Sequence, residues 1–235
     1  MKVSIIIPVY NEERTIAKIL KKVFLVKLPP RFTKEIVVVN DASSDKTLAI
    51  LKSHKSKFKL INHFVNLGKG AAIVTGFKHT TGDIILIQDA DLEYDPADYI
   101  RLLKPLQKSH VQVVYGSRLI DYPLQLYGPK KTPLPFHWLA NKVLTALTNF
   151  LYGQSVTDME TGYKVIRTNL FRSLNIQARR FDFEPEVTAK ILKKGFKIIE
   201  VPIEVKPRSY QEGKKIGWKD GLIAIWTLIK FRFID

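Results

Sequence analysis

The stretch from Ile84 to Glu93 reads Ile-Ile-Leu-Ile-Gln-Asp-Ala-Asp-Leu-Glu, an apolar run that passes directly into acidic residues. Four consecutive aliphatic residues predict a strand buried on both faces, which is typical of parallel sheets covered by helices on both sides. In open parallel sheets, ligands bind beyond the carboxyl ends of the strands. The acidic residues therefore lie where a functional site is expected.

Similar apolar runs recur on either side of this stretch. We predict strands at residues 3–9, 35–40, 59–64, 84–88 and 111–116, and helices at residues 12–26, 45–53, 69–80 and 96–108. Short β-branched runs that alternate with helical stretches are typical of parallel strands joined by crossover helices. The first half of the chain is therefore predicted to form a three-layer α/β domain.

The composition is that of a folded protein with a strongly basic surface. Of the 235 residues, 46% are hydrophobic and 26% are charged, which argues against a disordered chain. Lysine and arginine number 38 and the acids 22, so the formal net charge is +16, and the protein should attract polyanions or anionic membranes. The absence of cysteine excludes a disulfide framework and a thiolate zinc site. The five histidines lack metal-ligand spacing and are expected to be surface or packing residues.

Two amphipathic helices are expected in the second half. In the first, an apolar stripe (Phe136, Leu139, Val143, Leu147, Phe150) lies beside a polar one (Asn141, Thr145, Thr148). In the second, Trp218, Leu222, Ile225, Ile229 and Phe233 follow three-four spacing, with Lys219, Lys230 and Arg232 nearby. Each apolar stripe has two interpretations: it packs on the core, or it lies in a membrane interface.

No segment of the chain is expected to cross a membrane. The apolar run of residues 3–10 is too short for a signal peptide and contains Pro8. No stretch approaches the roughly 18 apolar residues of a membrane span. If the protein works on membranes, we expect it at their cytoplasmic face, peripherally bound or held by a membrane-anchoring partner.

Asp89, Asp91 and Glu93 are spaced by two residues. In an extended segment this spacing points all three carboxylates to the same side, where they would hold a divalent cation. Oxygen-only ligands favour Mg²⁺ or Mn²⁺. An isolated Asp-x-Asp is weak evidence, because most such pairs lie in solvated loops. The position directly after a buried strand strengthens the prediction.

Two further features lie near the ends of predicted strands. Asp41 follows the second strand, where its carboxylate would accept a hydrogen bond from a base N–H. Residues 66–70, Asn-Leu-Gly-Lys-Gly, contain glycines that would let the backbone approach a ligand. Their spacing matches neither a P-loop nor a dinucleotide fingerprint, so by itself this segment indicates only a tight turn.

These pieces, in this order, resemble family 2 glycosyltransferases of the GT-A fold. The matching segments are residues 6–13 (Ile-Ile-Pro-Val-Tyr-Asn-Glu-Glu), 39–45 (Val-Asn-Asp-Ala-Ser-Ser-Asp), 66–70 and 88–93 (Gln-Asp-Ala-Asp-Leu-Glu). The resemblance is strongest to the polyprenyl-phosphate sugar synthases and continues through residues 116–118, 158–164, 183–186, Arg208 and 219–221. It covers nearly the whole chain. It implies a mostly parallel central sheet with amphipathic C-terminal helices.

The resemblance implies roles for individual residues on the donor side. The nucleotide site would be lined by Pro8, Val9, Tyr10, Glu12, Asp41, Gly68, Lys69, Asp89, Ala90 and Asp91. Asp91 would bind the metal ion, and Asp89 would assist the sugar nucleotide. Glu93 would be a second metal ligand, although the mannose synthases often have glutamine at this position.

On the acceptor side, the resemblance implies that Arg118 and Arg208 contact phosphates and that Asp158 organises the site. Lys214 would be a phosphate clamp or a solvated residue of a basic loop. A structural salt bridge is the alternative for either arginine. The expected catalytic residues are thus Asp89, Asp91, Arg118 and Arg208.

The implied enzyme is an inverting, metal-dependent hexosyltransferase that uses GDP-mannose or UDP-glucose as donor and a polyprenyl phosphate as acceptor. Residues 1–210 would form the catalytic domain, with a donor half to about residue 120, an acceptor half to 210 and a basic, amphipathic tail at 211–235. A glycan or other soluble acceptor is the main alternative. A nucleic-acid-binding protein would need a continuous basic face with stacking aromatics, whereas here acids cluster at the expected site. We therefore expect no nucleic-acid partner.

Overall fold

A sheet of seven strands forms the centre of the computed structural model, which describes residues 1–120, 135–206 and 217–234. The strands are β1 (Lys2–Val9), β2 (Thr33–Asn40), β3 (Lys59–Asn62), β4 (Ile84–Ile87), β5 (Val113–Ser117), β6 (Lys164–Arg167) and β7 (Ile198–Pro202). Their order across the sheet is β3-β2-β1-β4-β6-β5-β7. Neighbours are parallel except around β6, which is antiparallel to both β4 and β5.

Helices cover both faces of this sheet. They are α1 (Ile16–Leu25), α2 (Thr47–Ser53), α3 (Lys69–Phe77), α4 (Tyr99–Leu103), α5 (Pro135–Tyr152), α6 (Thr168–Ser173), α7 (Phe183–Lys193) and α8 (Trp218–Phe233). Because side chains alternate along a strand, Ile84 and Leu86 of β4 join the core formed with α1 and α4, while Ile85 and Ile87 join the core formed with α3, α6 and α7. The predicted three-layer α/β fold with a mostly parallel sheet is confirmed.

The predicted helix over residues 96–108 is confirmed in part. The segment is helical, but only α4 is an α-helix, and it lies between two 3₁₀ turns, Pro96–Asp98 and Pro105–Gln107. Pro105 has no N–H to donate to the carbonyl four residues before it, so the α-helical hydrogen bonds stop there and the α-helix ends at Leu103. Strands β6 and β7 and helices α6 and α7 were not predicted.

In helix α5 the predicted polar stripe is buried, and most of the apolar stripe, which was one candidate for packing on the core, is exposed. Its buried residues are Leu144, Thr145 and Thr148, while Phe136, Leu139, Val143 and Phe150 are exposed. The inward polar groups are hydrogen-bonded: the Thr148 hydroxyl donates to the Leu144 carbonyl at 2.8 Å, and the Thr145 hydroxyl accepts from the Met159 N–H at 3.2 Å. Burying these side chains is therefore tolerated. Of the apolar stripe, Leu147 packs against a core cluster and the other four residues are exposed.

Helix α8 packs on the core, but mainly through residues outside its predicted apolar stripe. Of that stripe, Ile225 packs against the buried cluster, and the membrane-interface interpretation stays a prediction. Ala224, Leu228 and Phe231 are buried in a small core cluster shared with α5 and α7. Trp218, Leu222, Trp226 and Phe233 remain exposed. No helix within the described residues has the length and apolar character needed to cross a bilayer. Together, α5 and α8 present apolar side chains outside the three-layer core.

Candidate active site

The loops that follow β1 and β2 are tied to each other. The Asn11 side-chain oxygen accepts from the Ser44 N–H at 2.8 Å, and the Glu13 carboxylate accepts from the Lys46 N–H at 3.0 Å. The predicted nucleotide-site residues of this region lie along the first loop: Pro8 and Val9 are buried at the end of β1, Tyr10 is 36% exposed, and Glu12 is buried with its N–H bonded to Thr47.

Asp41 organises the segment after β3. Its buried carboxylate accepts hydrogen bonds from the Leu67 N–H at 2.9 Å and the Gly68 N–H at 2.8 Å, and it lies 2.7 Å from Nδ1 of His63. Both carboxylate oxygens thus bond within the protein. A base contact by Asp41 stays a prediction, and the bonds seen here give the residue a structural role, since they fix residues 63–68 at the end of the sheet.

Gly68 and Gly70 allow the backbone of residues 178–180 to approach closely. A Cβ added at Gly68 would collide with the Arg179 carbonyl, and one at Gly70 would lie 2.7 Å from the Ala178 carbonyl oxygen. The Gly70 N–H donates to the Arg180 carbonyl, and the Ala71 N–H donates to that of Arg179. The start of α3 is therefore used by the backbone of residues 178–180, which explains the Gly-Lys-Gly pattern without a ligand.

Lys69 joins the two predicted halves of the chain. Its ammonium lies 2.7 Å from Asp89 and 2.8 Å from Glu184, the second residue of α7. All three side chains are at most 17% exposed. Burial alone would lower the pKa of Lys69, but the two carboxylates raise it well above its ordinary value of 10.5. Lys69 is therefore a charged group that holds Asp89 in place at the end of β4.

The acidic segment after β4 is a turn and not an extended strand. Leu92 has a φ of 67°, in the left-handed region, and the Glu93 N–H donates to the Asp91 carboxylate at 3.0 Å. Ala90 is buried, whereas Asp91 and Glu93 are partly exposed. The extended backbone that was expected for Asp89, Asp91 and Glu93 is therefore absent, and the turn removes the two-residue alternation on which the expectation rested. Within the described ranges, no group of three metal-ligating side chains converges.

Arg118 and Asp158 form a bidentate ion pair at the end of β5. Nε and Nη2 of Arg118 donate to the two Asp158 oxygens at 2.7 and 2.8 Å, and the Arg118 N–H donates to Oδ2 at 3.0 Å. Asn141 of α5 donates to Oδ1 at 2.9 Å. Burial alone would raise the pKa of Asp158, but Arg118 lowers it below the ordinary 3.8. Asp158 thus orients the Arg118 guanidinium and ties α5 to the site.

Lys164 and Glu160 are close enough to both ion-pair clusters to interact electrostatically with members of each. The Lys164 ammonium donates to the carbonyls of Met159 and Thr161 at 2.9 and 2.6 Å, and burial lowers its pKa to about 8 against the pull of Glu184 and Glu160. Burial, reinforced by the charge of Glu184, raises the pKa of Glu160 to about 7. Oε1 of Glu160 is buried and has no hydrogen-bond partner among the residues described.

Sequence reasoning assigned no role to Glu184, Glu160, Lys164, Asn141 or His63. Charged residues inside otherwise apolar runs and the polar stripe of α5 were the available signals. Arg208 and Lys214, predicted to contact phosphates, lie outside the described residues.

Comparison with known proteins identifies the family. The model of glycosyl transferase family 2 matches residues 4–174. A dolichyl-phosphate beta-glucosyltransferase of Trichomonas vaginalis is 33% identical over 217 residues, which cover 86% of this chain and 64% of that protein. A dolichol-phosphate mannosyltransferase of Pyrococcus furiosus is 27% identical, over 92% of this chain and 60% of its own length. The chain thus spans less than two thirds of these relatives.

A solved structure with the same fold is glucosyl-3-phosphoglycerate synthase of Mycobacterium tuberculosis in complex with Mn²⁺, UDP and glucosyl-3-phosphoglycerate. It superposes with a TM-score of 0.73 at 20% identity and covers all of this chain and 81% of that one. At this identity the likeness establishes the fold alone. With the family model matching most of the chain, the conclusion is direct: the protein belongs to glycosyl transferase family 2 and is a glycosyltransferase of the GT-A fold.

Proposed function

We propose that this enzyme transfers a hexose from a nucleotide sugar, GDP-mannose or UDP-glucose, to a polyprenyl phosphate at a membrane surface, with inversion at the anomeric carbon. The acceptor phosphate oxygen attacks that carbon, and the nucleoside diphosphate leaves. A phosphate monoester is largely ionised near neutral pH, so this acceptor needs little help from a general base.

The observation that carries the proposal is the apolar surface beside the Arg118–Asp158 pair. Asn141, which bonds to Asp158, lies on α5 within two turns of the exposed Phe136 and Leu139. Helix α8 packs against α5 and exposes Trp218 at its first turn. Exposed aromatic side chains, on a protein whose formal net charge is +16, suit binding to an anionic lipid surface. A lipid phosphate held there would lie close to Arg118.

The relatives support the same acceptor class. Their names describe transfer of glucose and of mannose to dolichyl phosphate. Since the chain covers under two thirds of each, their full activity comes to this protein only as part of the proposal.

The charges near Asp89 fit a divalent cation at the donor site. Lys69 balances only one of its two carboxylate partners, so this cluster keeps a formal negative charge beside Asp91 and Glu93. A diphosphate would be repelled there unless a cation lay between. Asp91, with Glu93, would hold Mn²⁺ or Mg²⁺ through one or two carboxylates, with diphosphate and water oxygens as the remaining ligands. When bound, the ion would stabilise the negative charge of the leaving diphosphate.

The direct test is sugar transfer from radiolabelled GDP-mannose and UDP-glucose to a polyprenyl phosphate in vesicles, with Mn²⁺, Mg²⁺ or EDTA. We expect label in the lipid phase with one donor, dependent on the cation. Asp91→Ala should reduce the rate by at least about 100-fold, because charge stabilisation in the transition state is lost.

Glu204→Ala, an exposed carboxylate on the segment after β7, is the matched control and should keep wild-type activity. Transfer to soluble glycan acceptors, with none to the lipid, would replace the proposed acceptor. Cation-independent transfer would overturn the role of Asp91.

A further inference from the structure

Glu160 has an oxygen that the fold does not use. Among the described residues, two buried side-chain polar atoms lack a hydrogen-bond partner: Oδ1 of Asn40 and Oε1 of Glu160. Leaving a buried acceptor unpaired costs free energy, and more so for a carboxylate than for an amide. Native proteins keep such groups mainly where a ligand, ion or water completes them. Glu160 as a whole residue is half-buried, so it lies at the margin of the site and not in the interior of the core.

The carboxylates around Glu160 are, in contrast, engaged. Lys69 pairs with both Asp89 and Glu184. Asp158 accepts from Arg118 and Asn141. Glu160 thus interacts electrostatically with Glu184 of the donor-side cluster and with Arg118 of the acceptor-side cluster. Its Oε1 is a hydrogen-bond acceptor that no described residue uses.

The chemistry of these neighbours limits what Oε1 can bind. A phosphate is largely ionised near neutral pH and would repel the charged form of Glu160. The nearby Lys164 ammonium is already bonded to the carbonyls of Met159 and Thr161. A divalent cation would need further carboxylate oxygens beside Oε1, and the carboxylates around Glu160 are already bonded to Lys69, Arg118 and Asn141. A neutral hydroxyl group, which donates a proton, fits the site.

We propose that Glu160 recognises the sugar of the donor by accepting a hydrogen bond from one hydroxyl of the transferred hexose. This inference rests on the proposed function for its substrate class, and it deepens that function by naming a residue that selects the sugar. During transfer the hexose must lie close to both clusters, as Glu160 does.

The pH dependence of protein stability provides a second measurement on Glu160, independent of ligand binding. The charges that face it are those of Glu184, Lys164, Arg118 and Asp158, and burial raises its pKa from 4.5 to about 7. The folded state then binds the proton more tightly than the unfolded state, so stability falls as pH rises from 4.5 to about 7 and stays lower above it. Glu160→Gln removes this loss, so at a pH of about 8 the variant should melt at a higher temperature than the wild type.

The experiment measures the binding of donors without any acceptor. Isothermal titration would compare wild type, Glu160→Gln, Glu160→Ala and the control Glu204→Gln, with the nucleotide sugar that the wild type uses and with the matching nucleoside diphosphate. We expect Glu160→Ala to weaken nucleotide-sugar binding by about 10- to 100-fold, the range for a hydrogen bond to a charged group, and to leave diphosphate binding unchanged.

Donors that lack one hydroxyl locate the contact. With one deoxy analogue, wild type and Glu160→Ala should bind equally, whereas the other analogues should keep the difference. An equal loss for diphosphate, the same ratio with every deoxy donor, or a change in Mn²⁺ affinity alone would overturn the proposal. Because no acceptor is present, a failure of the lipid-acceptor assignment leaves this result intact, whereas a wild type that binds no nucleotide sugar would refute both.

Discussion

The two ion-pair clusters at the carboxyl edge of the sheet are built on different principles. On the donor side, one lysine holds two carboxylates, Asp89 and Glu184, and a negative charge remains. On the acceptor side, one carboxylate, Asp158, accepts two bonds from the Arg118 guanidinium and a third from Asn141, so its charge is balanced.

This difference matches what the proposed function requires of each cluster. A residual negative charge attracts a cation and, through it, a diphosphate. A neutral pair with a fixed, planar guanidinium offers directed N–H donors to a phosphate. Lysine serves the first cluster as a compact charge, and arginine serves the second through its geometry.

The largest effect on stability is expected for Lys69→Met, which removes the cation of the donor-side cluster. It leaves two buried carboxylates without a cation, and we expect a loss of about 3–5 kcal/mol in the free energy of unfolding, measured by urea denaturation. Because the pKa of Lys69 is raised in the folded state, its contribution is complete below pH 10.5 and is lost only above it. The loss should therefore be the same at a pH of about 7 and of about 9.

Lys22→Met is the control for that experiment. Lys22 pairs with Asp95 at 2.5 Å, but both side chains are 46% exposed, so its removal should cost at most about 1 kcal/mol. Equal losses for the two variants would show that the Lys69 cluster is no more than a surface contact.

A smaller effect is expected for Arg118→Lys. Lysine keeps the charge but cannot reproduce the bidentate contact, so we expect a loss of about 1–3 kcal/mol near neutral pH and slower sugar transfer. The pKa of Asp158 is lowered in the folded state, so its contribution is present above pH 3.8 and is lost as pH falls further. The difference between variant and wild type should therefore shrink in acid.

Arg101→Lys is the matched control, because Arg101 is 62% exposed and lies 3.4 Å from Asp98. It should change stability by less than about 0.5 kcal/mol. An unchanged transfer rate in Arg118→Lys would mean that guanidinium geometry has no part on the acceptor side.

The smallest effect on stability is predicted for the surface beside the acceptor cluster. Phe136 and Trp218 are 85% and 74% exposed, so replacing both by serine should alter the free energy of unfolding by no more than about 0.5 kcal/mol. Co-sedimentation with vesicles that contain anionic lipid should fall by at least about 10-fold, since each ring buries apolar area in the interface.

Leu25→Ser with Ile100→Ser removes two exposed apolar residues from α1 and α4 and should leave vesicle binding unchanged. If both double variants bind vesicles alike, α5 and α8 are not the membrane-facing surface.

Much of the fold could be read from local patterns. The aliphatic runs of β1, β2 and β4 predict buried parallel strands, and the acids and Arg118 that follow strands predict which edge carries the site. These features are local because burial on both faces leaves a continuous apolar signature.

The contacts within the site could not be read in the same way. Periodicity reports that a residue is buried, and it does not name the partner. Glu184 reaches Lys69 only because the loop before α7 returns to the start of α3, where Gly68 and Gly70 leave room for its backbone.

The amino-acid sequence by itself determined the α/β class and the family resemblance, and it predicted the edge of the sheet that carries the site, because these depend on short apolar runs and short motifs. The tertiary structure alone decided that β6 enters antiparallel between β4 and β5, that α5 turns its threonines inward, and that Oε1 of Glu160 is left without a partner in the described part of the chain. Each of these results depends on which distant segments meet. Hydrogen bonds between such segments can allow the polar side of a helix to be its buried side. Only the assembled fold shows which buried polar atom lacks a hydrogen bond.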